Sequence, residues 1–220
     1  MPGMSAGTAR VTPPLRLTDA DIRALGERGW FLIDGVLGRQ GSMGIHDVVE
    51  ALAAAGRLRP AGLSRGPAYR VDEVVRGDSA TWVTSEEPLP KLAPLCGVFI
   101  ALRDALNREA YLGLGRMEVQ ASRYPGGGSA YRRHRDAFPA LPGGRPNRRV
   151  TAIYYANPAW RPEDGGALRL HLDAGPIDVA PVLDRLLVFL SEQVEHEVLP
   201  THLPRRAITA WFRARDLLGD

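Results

Sequence analysis

Cysteine occurs once in the 220 residues, at Cys96. A single thiol closes no intramolecular disulfide and builds no cysteine-ligated zinc site. A reducing, cytoplasmic setting fits that scarcity. Lysine is equally rare: Lys91 is the only one, and every other basic residue is arginine. No apolar run approaches the ~18 residues of a membrane helix. The first fourteen residues carry no apolar stretch of the kind a secretory signal needs, so neither membrane insertion nor secretion is expected. Histidine is limited to His46, His134, His171, His196 and His202, and any imidazole metal site must draw on those five. What remains is ordinary globular material, with 45% apolar and 24% charged residues and a net charge of +3. The length fits one domain at ~150 residues per domain, enough chain to bury a core without staples. The arginine excess reads as a compositional bias and does not by itself argue for nucleic acid.

Residues 1–16 are rich in glycine, proline, serine and threonine and read as a flexible tail. Thr18-Asp19-Ala20-Asp21 matches a capping box, and Gly29 closes the helix it opens. A short strand follows at 30–33. Ile45, Val48, Val49 and Leu52 recur at helical spacing and predict a second helix over 45–55. Leu92, Leu95, Val98, Phe99, Leu102 and Leu106 predict a third over 89–112. The intervening 57–88 is irregular and polar. From Arg116 the texture changes to short strand-like runs at 117–124, 150–155, 167–172, 177–179, 185–190, 195–199 and 207–213. Pro125-Gly126-Gly127-Gly128, Pro142-Gly143-Gly144 and Asp164-Gly165-Gly166 punctuate them. The expected class is mainly β with N-terminal helices (α+β), a sandwich or barrel in one integrated domain. Its parts are the tail 1–16, a helical support region 17–115 with the first strands and a mobile loop, and a β core 116–220.

The chemistry concentrates in His134-Arg135-Asp136, followed much later by His196 and Arg205. Side chains i and i+2 of a strand share a face, so His134 and Asp136 can project together, with His196 as a third ligand from a later strand. Two imidazoles and one carboxylate on one face of an ion form the facial triad of non-haem iron(II) oxygenases. That set holds the metal and leaves adjacent positions open for a bidentate cosubstrate and O2. A second His-x-Asp, His171-Leu172-Asp173, lies in a run where leucines alternate with Arg169 and His171, which predicts a solvent-facing His171. His202 follows His196 across Pro200, which leaves no helical histidine pair. His46 reads as an ordinary helix residue.

Around the triad stand Arg123-Tyr124-Pro125-Gly126, Tyr131, Arg149-Val150-Thr151-Ala152-Ile153-Tyr154-Tyr155, Gly165-Gly166-Ala167-Leu168, His196-Glu197-Val198 and Arg205-Arg206-Ala207-Ile208-Thr209-Ala210-Trp211. Arg76-Gly77-Asp78 and Thr81-Trp82 stand upstream. Together they resemble the prolyl 4-hydroxylase group of 2-oxoglutarate- and Fe(II)-dependent dioxygenases, most closely the hypoxia-inducible-factor type and its bacterial relatives. The resemblance covers nearly the whole chain. It implies a double-stranded β-helix, the cupin-like jelly roll, buttressed by helices. It implies iron held by His134, Asp136 and His196. Arg205 would take the distal carboxylate of 2-oxoglutarate, a fit to its fixed bidentate fork, with Tyr155 assisting. Thr209, Leu168 and Tyr124 would complete the cosubstrate pocket, and Tyr131, Arg148 and Trp211 would lie toward the substrate. Cofactors implied are Fe(II), 2-oxoglutarate, O2 and L-ascorbate as reductant. The implied reaction hydroxylates a prolyl residue of a protein or peptide and releases succinate and CO2. Bacterial relatives make a translation elongation factor a candidate substrate.

The chain departs from the animal enzymes at the longer, proline-rich 137–147 segment, at Leu190 and at Arg135. These positions surround the entrance, so the substrate does not carry over with the chemistry. A hydroxylase of a free amino acid or small metabolite uses the same triad. A non-catalytic metal- or partner-binding module uses the same fold. Nucleic-acid demethylases of this fold pair two arginines after the last histidine, at a spacing that here puts Trp211 after Arg205. No nucleic acid is therefore expected among the partners.

Overall fold

The computed structural model describes residues 15–63, 70–84, 89–137 and 147–215. The chain opens with helix α1 (Asp19–Arg28), capped as expected. Thr18 Oγ1 accepts from the Asp21 backbone N–H, Asp21 reaches back to the Thr18 N–H, and Gly29 ends the helix in the left-handed region. Strand β1 (Trp30–Asp34) and helix α2 (Gly38–Ala54) follow. Next come the short strands β2 (Arg59–Pro60), β3 (Gly62–Leu63) and β4 (Arg70–Val71), then β5 (Ser79–Val83) and helix α3 (Ala93–Glu109). The β-rich half comprises β6 (Leu114–Tyr124), β7 (Ser129–His134), β8 (Arg148–Tyr155), β9 (Leu168–Leu172), β10 (Gly175–Val179), β11 (Arg185–Leu190), β12 (Glu195–Thr201) and β13 (Arg205–Ala214).

Among the described residues these strands form an antiparallel major sheet, β1-β11-β8-β13-β6-β5-β2, and a minor sheet, β10-β9-β12-β7. This is the expected jelly-roll arrangement of two sheets with helical support. The period-2 alternation of the major sheet divides its residues between two cores. On β8, Val150, Ala152 and Tyr154 join α2 and α3 in one apolar cluster, together with Leu186, Val188, Ile208 and Phe212. Ile153, Tyr155, Leu187, Phe189 and Ala207 face the minor sheet and pack on Leu168, Leu170 and Val198.

Element ends differ from the sequence reading. Helix α2 begins seven residues earlier than the expected 45, because Gly38 to Gly44 is polar and offers no apolar periodicity to read. The expected helix 89–112 divides into a 3-10 turn (Pro90–Leu92) and α3, with Pro94 accommodated in the first turn. Strand β5 lies in the stretch read as irregular. It pairs with β6 and carries Trp82, 43% exposed, toward the cavity described below. Parts of the 61–75 and 137–147 segments lie outside the described residues.

Candidate metal centre

Register brings the two histidines together: His196 on β12 stands directly opposite His134 at the end of β7. Their rings are 4.3 Å apart, centroid to centroid. Asp136 reaches them differently from the expectation. Strand β7 stops at His134, and Asp136 sits in the following bend rather than two places along a strand. The bend swings its carboxylate toward the major sheet. There the Thr151 hydroxyl donates to Asp136 Oδ2 at 2.8 Å, with Ser191 Oγ 2.8 Å from Thr151 Oγ1.

The result is one compact donor set. His134 Nε2 lies 3.8 Å from Asp136 Oδ1, and His196 Nε2 lies 3.6 Å from Asp136 Oδ2. One ligand atom from each of the three residues falls within 4.8 Å of the others. Among the described residues this is the only such group. Each imidazole has Nδ1 beside the carbonyl two residues earlier: Arg132 at 2.7 Å for His134 and Val194 at 3.3 Å for His196. A proton on Nδ1 donates to that carbonyl and leaves the Nε2 lone pair free, the tautomer a metal requires.

Charge states agree with that role. Burial is the largest influence on His134, with His196 next, and they push its pKa down to about 3. It is therefore neutral at physiological pH. Burial acts to raise the Asp136 carboxyl, but the charges of His196, His134 and Arg148 outweigh it and hold it at about 2. Two imidazoles and one carboxylate make an oxygen–nitrogen site suited to a divalent transition metal with open positions.

The triad opens on a cavity of about 900 Å³. Arg205 lines it, only 4% exposed, and its Nε donates to Gly166 O at 2.8 Å. A Cβ on Gly166 would come within 2.9 Å of Arg205 Cδ, so glycine is needed for that approach. No carboxylate of the described residues pairs with Arg205, which leaves a buried cation without a counter-ion. The Tyr155 and Tyr124 rings stand 5.1 and 5.2 Å from its guanidinium carbon. The Tyr155 hydroxyl is buried and makes no well-formed hydrogen bond, and burial lifts its pKa to about 12 although the nearby Arg205 cation pulls the other way. A buried cation beside a buried orphan hydroxyl is a seat for an anion.

Leu168, Thr209 and Tyr124 line the same cavity, as do Tyr131, Arg148 and Trp211. Tyr155 does not form its surface and adjoins it through Arg205. The Tyr131 ring stacks on His134 at 3.7 Å, and the Arg76 guanidinium carbon lies 4.9 Å from the same Tyr131 ring. Arg148 is not free toward the substrate side. It is pinned to Glu118 Oε2 by Nε and Nη2, at 3.2 and 3.1 Å, and lies 4.0 Å over the Trp211 ring. Arg213 occupies the other Glu118 oxygen at 3.0 Å. The Trp211 indole N–H is buried and makes no well-formed hydrogen bond, yet lies close enough to Asp136 to favour its charged form.

The other histidines stand apart from the site. His171 is half-buried and pairs with Glu197 at 2.9 Å, short of the full exposure expected. His46 Nδ1 contacts Ala156 O at 3.1 Å. Arg206 points away from Arg205, as alternation requires, and pairs with Glu50. Sequence reasoning passed over Thr151, Ser191, Glu118 and Gln120. The signal for the last two was present in the polar row Glu118, Gln120, Ser122 and Tyr124 along β6, which lines the cavity.

Residues 119–213 match the family model described as the 2OG-Fe(II) oxygenase superfamily. Egl nine homolog 1 of Rattus norvegicus is 32% identical over 220 residues, covering 94% of this chain and 62% of that protein. The chain thus spans less than two thirds of that relative's length. A prolyl-4-hydroxylase structure from Pseudomonas putida superposes with a TM-score of 0.77 at 34% identity, covering 89% of this chain and 98% of the other. A prolyl hydroxylase in complex with a hypoxia-inducible-factor peptide fragment, from Trichoplax adhaerens, also gives 0.77. Its identity is 29%, with coverage of 88% and 87%.

Proposed function

The chain belongs to the 2OG-Fe(II) oxygenase superfamily, within its prolyl hydroxylase group, and we propose that it hydroxylates prolyl residues of a polypeptide. It would use Fe(II), 2-oxoglutarate and O2, and leave succinate and CO2. The observation that carries the reading is one cavity shared by the His134–Asp136–His196 donor set and the buried, carboxylate-free Arg205.

When bound, the iron supplies the redox chemistry by which O2 is activated, with 2-oxoglutarate as electron donor. His134 and His196 offer Nε2, and Asp136 offers a carboxylate oxygen. Thr151 fixes the Asp136 carboxylate, and the two carbonyls fix the histidine tautomers. Arg205 receives the distal carboxylate of 2-oxoglutarate, and Tyr155 adds its unpaired hydroxyl. Leu168, Thr209 and Tyr124 shape the pocket around the carbon chain. Tyr131 supports His134, while Arg148 and Trp211 wall the substrate side and exclude water. L-Ascorbate would restore iron oxidised in unproductive turnover. Among the described residues no helix is long and apolar enough to cross a membrane, and a cytoplasmic setting with a translation elongation factor as candidate substrate fits this reading.

The test supplies the protein with Fe(II), 2-oxoglutarate, ascorbate and O2. The partners are a randomised library of short proline-centred peptides, an elongation factor, and free L-proline. The expected result is succinate formation with one added oxygen on peptidyl proline. Oxidation of the free amino acid alone would overturn the polypeptide reading.

A further inference from the structure

On β6, Glu118, Gln120, Ser122 and Tyr124 line the cavity, and the apolar Met117, Val119 and Ala121 that alternate with them pack in the helix-side core. Gln120 is 7% exposed, and its amide is not free to flip. Its Oε1 accepts from Arg76 Nη2 at 2.9 Å. Arg76 is itself fixed by a two-point pair with Asp78, at 2.7 and 3.1 Å. The Arg76 cation can meet only the oxygen of a carboxamide, so the NH2 group turns away from it. That NH2 finds no acceptor among the described residues, and it is not sealed off as the orphan Tyr155 hydroxyl is. Gln120 is thus a buried, pre-oriented double donor in the wall of the cavity that holds the metal ligands.

Position along the sheet decides what it faces. Tyr124 stands opposite Arg205, whereas Gln120 stands opposite Thr209 on one side and Trp82 on the other. Four residues of strand put Gln120 about 13 Å from the Arg205 end. A five-carbon dicarboxylate spans on the order of 5–6 Å. With the cosubstrate anchored at Arg205, Gln120 lies beyond its far end, level with Thr209 at the outer limit of the cosubstrate pocket and beside half-exposed Trp82. An NH2 donor open to the cavity there is placed to meet an acceptor from the substrate, and a neutral carbonyl serves it best beside the already satisfied Arg76 and Glu118.

We propose that Gln120 is a specificity-determining residue that donates a hydrogen bond to a backbone carbonyl flanking the proline to be hydroxylated. The assignment rests on the polypeptide-hydroxylase reading above and deepens it: a free amino acid offers no amide carbonyl there. A site built around such a donor rejects ligands that leave it unpaired.

The test compares wild type, Gln120→Leu and Gln120→Glu on the proline-centred peptide library and its best-hydroxylated member. It reads KM, kcat and anaerobic peptide affinity by fluorescence anisotropy. Gln120→Leu removes the donor and raises KM and Kd for the peptide about tenfold with kcat largely kept. Gln120→Glu keeps the Arg76 contact, turns an anionic oxygen on the carbonyl, and weakens binding further. Should the leucine variant misfold, as judged by circular dichroism, the near-isosteric glutamate variant carries the test alone. Peptide KM and Kd unchanged in the folded variants would overturn this assignment while the polypeptide reading stands. A wild type that modifies no peptide at all would overturn both.

Discussion

Thr151 donates its hydroxyl hydrogen to Asp136 at 2.8 Å, across from one sheet to the bend that follows the other. That bond sets the carboxylate of the proposed triad, since no strand geometry does so. Thr151→Val keeps the shape and removes the donor. Iron(II) affinity should fall about 10- to 100-fold, as other losses of a ligand-orienting partner do. Thr151→Ser should restore most of it. Competition against a chromophoric chelator under anaerobic conditions checks both.

Arg205 offers a second handle. Arg205→Lys keeps the charge but loses the planar fork held by Gly166 O. The KM for 2-oxoglutarate should rise on the order of a hundredfold. Initial-rate kinetics at saturating peptide would show the rise, and an unchanged KM would remove Arg205 from the cosubstrate site.

The ion triad Arg148–Glu118–Arg213 is nearly dry, with side chains 8–14% exposed. Glu118→Ala leaves two buried guanidinium groups without their shared carboxylate. The expected loss of stability is about 3 kcal/mol, read by urea denaturation. Arg148 should also lose its fixed stacking on Trp211, visible as altered tryptophan fluorescence.

Protonation of the metal-free centre predicts a pH dependence. Burial and the neighbouring His196 depress the folded pKa of His134 from 6.5 to about 3. Between those values the unfolded chain binds more protons than the native one, so native stability must fall as pH drops from about 6.5 toward 3. Asp136, depressed to about 2, adds stability above its ordinary 3.8 that is lost as pH falls through 2. Chemical denaturation of chelator-treated protein across that range checks the sign. His134→Asn should flatten the upper part of the slope.

Much of this was legible in the sequence, and the gaps have physical causes. A capping box and a closing glycine located α1, and periodicity located α2 and α3 because their apolar faces pack on a sheet. Turn glycines located most strands. The expected iron ligands converge because β12 and β7 pair His196 against His134, although the strand argument for Asp136 does not hold: β7 ends at His134, two residues too soon. Strand β5 was illegible because Thr81, Trp82 and Val83 are flanked by polar residues that suggest a loop. Gln120 and Glu118 show polar alternation that ordinarily signals a solvent-facing side. Only the second sheet reveals that this side lines an internal cavity. The orienting role of Thr151 leaves no local trace, since its partner lies fifteen residues away.

The central claim is that His134, Asp136, His196 and Arg205 together hold iron(II) and 2-oxoglutarate. Anaerobic titration of the protein with Fe(II) and then 2-oxoglutarate, followed by visible absorption, tests it most directly. A metal-to-ligand charge-transfer band should appear in wild type only when both are present. It should vanish in His134→Ala and need far more 2-oxoglutarate in Arg205→Lys. No band in wild type, or a full band in His134→Ala, would contradict the account.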